Sequence, residues 1–219
     1  MATMPAPRRT DAAWSLVLPL KPLAVAKSRL ATATGPLRPE LALAFALDTV
    51  AAALRCAEVA QVIVVTDDPV AGAELALLGA LVVPDRPAAG LNAALTHGAT
   101  VARESYRAGA VAAMSADLPA LRPPELGRVL CAAAAHPRAF LADTQREGTT
   151  LLAAGPAHRL APGFGGASRL RHGASGAHEL TLDDVPSLRR DVDTPDDLRA
   201  ALDLGTGPRT TALAALVAL

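Results

Sequence analysis

The 219-residue chain is 51% hydrophobic, only 2% aromatic, and carries 21 basic against 21 acidic side chains, for a formal net charge of zero. That length suits one α/β domain whose core must be built from Ala, Val and Leu, and the balanced charge argues against a polyanion-binding surface, so no nucleic-acid partner is expected. No run reaches the ~18 apolar residues that span a bilayer, and no apolar leader with a cleavage site follows Arg8 and Arg9, so a cytoplasmic protein without membrane attachment is expected.

In chain order, residues 1–12, rich in Pro, Arg and Thr, are expected to be disordered. "WSLVLP" then reads as a buried strand, and "PELALAFALDTVAAALR" as a helix with Pro in its first turn. "QVIVVTDD" is a continuous β-branched run, the mark of a strand covered on both faces. A helix ("PVAGAELALLGA"), a short strand ("LVVPD") and a helix opened by Gly90 ("GLNAALTHGATVARESY") follow. "GAVAAMSADLPAL" runs as a strand into a polar turn at Ser115 to Asp117, and "PPELGRVLCAAAAH" starts a helix on prolines. "RAFLAD" and "TTLLAA" are strand-like runs around the turn "TQREG". A Gly-rich stretch follows and is expected to form a lobe over one sheet edge, with His172 and His178 exposed in it. "LRRDVDT" reads as a strand, "PDDLRAALDL" as a helix, and the tail "PRTTALAALVAL" as a closing helix. Strands alternating with helices imply one domain with a mostly parallel sheet. Cys56 and Cys131 fit no metal spacing and read as buried free thiols.

In open α/β sheets ligands bind beyond the carboxyl ends of the strands, so the polar residues there are the ones to weigh. The first strand runs into "PLKPLAVAKSRL", the second into "TDD", the third into "PDRPAAG", the fourth into "SADLP", and a late segment into "DVDT". Lys21, Lys27 and Arg29 thus share a sheet end with carboxylates at Asp117, Asp191 and Asp193, a combination that suits a metal-bound polyphosphate. Taken singly, each has a bland reading. The cations could be a solvated face, Asp117 a helix N-cap, and Asp193 the residue before a cap at Thr194. Asn92 could read a base edge or cap its own helix, and the glycines around Gly165 could be a flexible surface loop. No Walker A loop and no G-x-S-x-G elbow occurs, and a dinucleotide site is poorly supported.

"LPLKPLAVAKSRLA", "PAAGLNAAL", "SADLPAL", "GTTLLAA", "PGFGGASRLRHGASGA" and "DVDTPDDLRAAL", in that order, resemble the guanylyltransferases of coenzyme F-420 biosynthesis that act on phosphoenolpyruvate or 2-phospho-L-lactate. The resemblance runs from about Trp14 to about Arg209. It departs from the wider superfamily, which includes the molybdenum-cofactor guanylyltransferases, in having "PLKPLAVAKSR" where relatives carry a glycine-rich "GGxGxR" turn. It implies an α/β, single-domain Rossmann-like nucleotidyltransferase fold (glycosyltransferase-A-like) over residues 13–219, with a mostly parallel central sheet flanked by helices. It implies GTP as donor, phosphoenolpyruvate or 2-phospho-L-lactate as acceptor, Mg2+ as cofactor, and a monomer or homodimer. It further implies that Lys21, Lys27 and Arg29 serve the triphosphate, and that Asp117 and Asp193, with Asp191, hold the metal. Gly90 and Asn92 would lie near guanine, and Thr150, Gly165 and Ser168 would contact the acceptor. A sugar-phosphate or cytidylyl nucleotidyltransferase and a nucleotide-sensing module are the other readings open.

Overall fold

Each buried run of the sequence becomes a strand, and its two faces are claimed by different helices. The strands are β1 (Trp14–Pro19), β2 (Val59–Val65), β3 (Leu81–Val83), β4 (Ala110–Met114), β5 (Arg138–Ala142), β6 (Thr149–Ala154) and β7 (His178–Glu179). The helices are α1 (Ala31–Thr34), α2 (Arg38–Leu54), α3 (Pro69–Leu77), α4 (Leu91–Tyr106), α5 (Pro123–Ala133), α6 (Ser168–Ala174), α7 (Pro186–Arg189), α8 (Pro195–Leu204) and α9 (Pro208–Ala214). This computed structural model describes residues 14–106 and 109–217; the segment 1–12, expected to be disordered, lies outside the described residues.

The strands form one sheet in the order β3-β2-β1-β4-β6-β5-β7. The pairs β1–β2, β1–β4, β2–β3 and β5–β7 are parallel, while β6 is antiparallel to both β4 and β5. Because side chains alternate along a strand, Leu16, Leu18, Val62, Val64, Ala112 and Met114 face one side, where α2 and α5 add Val50, Val129 and Leu130. Val17, Ile63, Val65, Val111 and Ala113 face the other side, beneath Ala94, Leu95, Ala99 and Ala102 of α4. A core of such small residues requires close approach of backbones. Gly98 makes this possible: a Cβ there would lie 2.4 Å from Cγ1 of Val17 and 2.8 Å from Cγ2 of Val65.

Three expectations need correction. "LRRDVDT" is not a strand: Pro186 opens the single turn α7, and residues 190–193 follow as irregular chain. Val192 is instead buried with Leu30, Leu41 and Phe45 in a separate cluster, which draws this segment away from the sheet. The Gly-rich stretch contains α6, on which His172 is buried rather than exposed. Cys56 is buried as expected, but Cys131 is exposed on α5.

Candidate active site

Pro19 ends β1, and the chain then turns through Lys21–Lys27 without a glycine. Two side chains from elsewhere shape this loop. Asp68 caps α3 by accepting from the N–H groups of Val70 (3.1 Å) and Ala71 (3.0 Å), and its other oxygen accepts from Leu23 N–H at 2.8 Å. Backbone donors, Ala71 first and Leu23 second, hold the Asp68 carboxyl below its ordinary value, although burial opposes them. From α2, the Arg38 guanidinium donates to the carbonyls of Ala24 (2.7 Å) and Ala26. Lys27 then takes the left-handed conformation (φ 54°, ψ 42°), which costs a non-glycine residue about 1 kcal/mol. That turn sends its side chain inward.

The Lys27 ammonium donates to Asp193 Oδ1 at 2.7 Å and to Asp117 Oδ2. Asp117 lies in the turn after β4. This turn is fixed by Leu118 N–H donating to the buried Thr49 hydroxyl (3.0 Å) and by Val192 N–H donating to the Asp117 carbonyl (3.1 Å). Asp193 precedes a capping box in which Thr194 and Asp197 open α8. The cap at Thr194 and a site role for Asp193 therefore coexist. Asp117 caps no helix, since α5 begins only at Pro123.

Burial alone would pull the Lys27 ammonium down, but the Asp117 and Asp193 carboxylates outweigh it and leave its pKa raised. For Asp193, burial pushes upward and is overcome by Lys27, Arg29 and Lys21, so the group sits below the ordinary carboxylate value. All three sequence-selected cations therefore act on one carboxylate. Asp191 goes the other way: burial first, then repulsion from Asp117 and Asp193, pushes it up to about 7. Among the described residues the three carboxylates do not converge as a ready three-ligand metal cage, because Lys27 stands between two of them. The donor set nonetheless fits a hard divalent ion. It is all oxygen, and Asp117 Oδ1 is buried with no hydrogen-bond partner among the described residues.

These residues border a cleft of about 380 Å³ at the carboxyl ends of β1, β2 and β4, lined by Lys21, Lys27, Gly90, Ser115, Asp117 and Asp193 among others. Arg29, Asp191, Asn92, Thr150, Gly165 and Ser168 lie outside that lining. The Asn92 carboxamide accepts from Phe164 N–H (2.8 Å) and donates to the Phe164 carbonyl (3.2 Å). Thr150 is fully buried at the start of β6, with its hydroxyl unpartnered among the described residues. Its carbonyl accepts from Ser115 N–H at 2.9 Å, which sets it directly behind the cleft wall. Ser168 is buried at the start of α6, and Gly165 holds φ +95°, where side chains are strained.

Sequence reasoning missed Asp85 and His172. Asp85 follows β3 and lines the cleft with one buried oxygen that has no partner among the described residues, so the strand-end rule could have found it. His172 gave no signal, because its partners are distant in sequence. Gly163 N–H donates to its Nε2 (2.9 Å), so Nδ1 carries the proton and donates to the Thr149 hydroxyl (2.9 Å). Burial, then Arg138 and Arg171, pulls its pKa down to about 4, which keeps this neutral tautomer.

A mostly parallel sheet with Lys21, Lys27, Asp85, Asp117 and Asp193 around one cleft beyond its strand ends is the arrangement of an enzyme of the nucleotidyltransferase class. The MobA-like NTP transferase domain matches residues 42–182. A phosphoenolpyruvate guanylyltransferase from Thermomonospora curvata is 66% identical over 202 residues, covering 92% of this chain and 89% of the relative. One from Streptomyces coelicolor is 64% identical over 203 residues, covering 92% and 96%. The chain belongs to the phosphoenolpyruvate guanylyltransferase family. Among solved structures, a nucleotidyl transferase from Methanothermobacter thermautotrophicus shares the fold with a TM-score of 0.59 and 18% identity, covering 89% of this chain and 98% of that one. A Mycobacterium tuberculosis protein solved in complex with manganese does so at 0.54 and 22%, covering 88% and 98%.

Proposed function

We propose that this protein transfers GMP from GTP to the phosphate of phosphoenolpyruvate, releasing pyrophosphate and forming enolpyruvyl-diphospho-guanosine for coenzyme F-420 biosynthesis. The observation that carries this reading is Lys27 clasped by Asp117 and Asp193 beside Lys21 in the cleft, within a chain 66% identical to a protein of that name. An acceptor phosphate oxygen attacks the α-phosphorus of GTP, and the bond to the β-phosphate oxygen breaks. The nucleophile is already anionic, so no general base is needed; the barrier is repulsion between anions, and charge placement meets it. Lys27 and Arg29 offset charge on the departing pyrophosphate, and Lys21 lies nearer the α-phosphate. Asp117 and Asp193, with Asp191, would hold Mg2+, which when bound supplies further neutralisation between the nucleotide phosphates.

Guanine presents two adjacent donors, N1–H and the 2-amino group, on its pairing edge. The carboxylate of Asp85, with a buried oxygen at the cleft that has no partner among the described residues, suits that pair, and Gly90 leaves room for the base. Thr150, Ser168 and the Gly165 backbone serve the acceptor's phosphate and carboxylate. Pyrophosphate release tests the reading, with GTP, ATP and CTP each supplied with phosphoenolpyruvate or 2-phospho-L-lactate. GTP with phosphoenolpyruvate should be fastest. A faster reaction with 2-phospho-L-lactate or with another nucleotide rejects the corresponding part of the assignment.

A further inference from the structure

The loop between β6 and α6, residues 155–167, carries the acceptor-side glycine Gly165 and has no ladder of its own to fix it. Arg103 and Arg138 donate to carbonyls in its first half, and its conformation at Gly163 and Phe164 is set from two sides. From α6, His172 Nε2 accepts from Gly163 N–H and Arg171 donates to the Gly163 carbonyl at 3.0 Å. The Phe164 ring meets the His172 ring edge-on, with centroids 5.1 Å apart. From α4, Asn92 bonds both the N–H and the carbonyl of Phe164, a separation of 72 residues in the chain.

Two hydrogen bonds from one planar carboxamide fix the orientation of a peptide segment as well as its position, much as a paired strand would. Gly165 is the next residue, and its positive φ makes its direction depend on how Phe164 is held. On the other side of this bridge, Asn92 follows directly after Gly90 and Leu91, both of which line the cleft. One side chain therefore connects the cleft rim to the residue that precedes Gly165. We propose that Asn92 is a positioning residue for acceptor use, and that nucleotide in the cleft tightens the 163–167 segment through it. This rests on the functional reading above only for the identity of the two ligands.

The test is amide hydrogen exchange together with steady-state kinetics on the full chain, comparing wild type with Asn92→Leu, which keeps the size and removes both bonds. Without ligand, the amides of 163–166 should exchange about tenfold faster in the variant, while β1 and β4 stay unchanged. Adding GTP should slow exchange of this segment in wild type and not in Asn92→Leu. The KM for phosphoenolpyruvate should rise about tenfold, with the KM for GTP within about twofold. Asn92→Asp keeps the acceptor for Phe164 N–H and loses the donor, so it should fall between the two; it also decides the matter if the leucine variant does not fold. Equal ligand-free exchange in wild type and variant overturns the proposal, as does equal protection by GTP or a matched rise in both KM values. Should wild type not use phosphoenolpyruvate at all, the functional reading fails, while the ligand-free exchange still decides the latch.

Discussion

On the proposed reading, the cleft and the loop 155–167 solve the same problem, holding anions still, by opposite means. At the cleft, charges face one another: Lys27 is clasped by Asp117 and Asp193, and Lys21 and Arg29 add their fields to Asp193. At Gly163 and Phe164 the tethers are mostly neutral, namely the buried His172 tautomer, set by the Thr149 hydroxyl, and the half-buried Asn92 carboxamide, while Arg103 and Arg138 donate to other carbonyls of the loop. A charged arrangement can exchange partners when a polyanion arrives. A neutral one holds a shape through directional bonds and loses it when one partner changes protonation. The cleft is built to rearrange, and the loop is built to be kept.

The comparison is broken most severely at the charged end. Asp117→Asn or Lys27→Ala should lower turnover about 10²–10³-fold, the loss expected of a preorganised electrostatic group, while the far-UV spectrum is unchanged. Pyrophosphate release with GTP reads it, and activity near wild type in both variants would remove the cleft from the chemistry.

The neutral end should break with pH. The His172 pKa of about 4 lies below the ordinary histidine value of 6.5. Above pH 6.5 both folded and unfolded chains are neutral there, and the stabilisation is complete. As pH falls from 6.5 towards 4 the unfolded chain binds a proton that the folded chain refuses, so stability declines through that window, by at most about 3 kcal/mol. Urea midpoints between pH 7 and 4 should show this fall in wild type and a shallower one in His172→Gln. Parallel slopes for the two proteins would contradict the neutral assignment.

A third variant tests whether both halves depend on the same close packing. Gly98→Ala puts a Cβ into Val17 and Val65, and should cost roughly 1–3 kcal/mol by overpacking, read from urea midpoints. A smaller effect concerns competition for the carboxylates. Lys27→Ala removes the cation between Asp117 and Asp193, so nucleotide-free protein should bind Mn2+ about tenfold more tightly than wild type by calorimetry. Unchanged affinity would mean that the ammonium does not compete with the metal.

Much of this was legible in the sequence because its causes are local. The run "QVIVV" declares a strand buried on both faces, and the rule that ligands gather at strand ends singled out Lys21, Lys27, Asp117 and Asp193 before their contacts were known. What escaped has long-range causes. Val192 reads as a strand residue until Leu30, Leu41 and Phe45 are seen to bury it elsewhere. His172 lies in a polar, glycine-rich stretch and is nonetheless buried, because Thr149 and Gly163 take up both ring nitrogens. Asn92 looked free for a base because its partner is 72 residues away.

β6 runs against β4, so the first residues of one strand meet the last residues of the other at a single rim: Met114 pairs with Leu151, and Ser115 N–H bonds the Thr150 carbonyl. The proposed acceptor residues Thr150, Gly165 and Ser168 therefore lie on one contiguous stretch from β5 to α6, whereas the charges of the cleft are scattered from Lys21 to Asp193. Under the proposed assignment, the two specificities occupy different kinds of text. That stretch, with Asn92 as its one outside tether at Phe164, can be exchanged nearly as a block, so the choice of phosphorylated acid is the trait that few replacements would alter. Nucleotide choice, tied at once to residues beyond β1, β3 and β4 and in the 190–193 segment, can change only in concert.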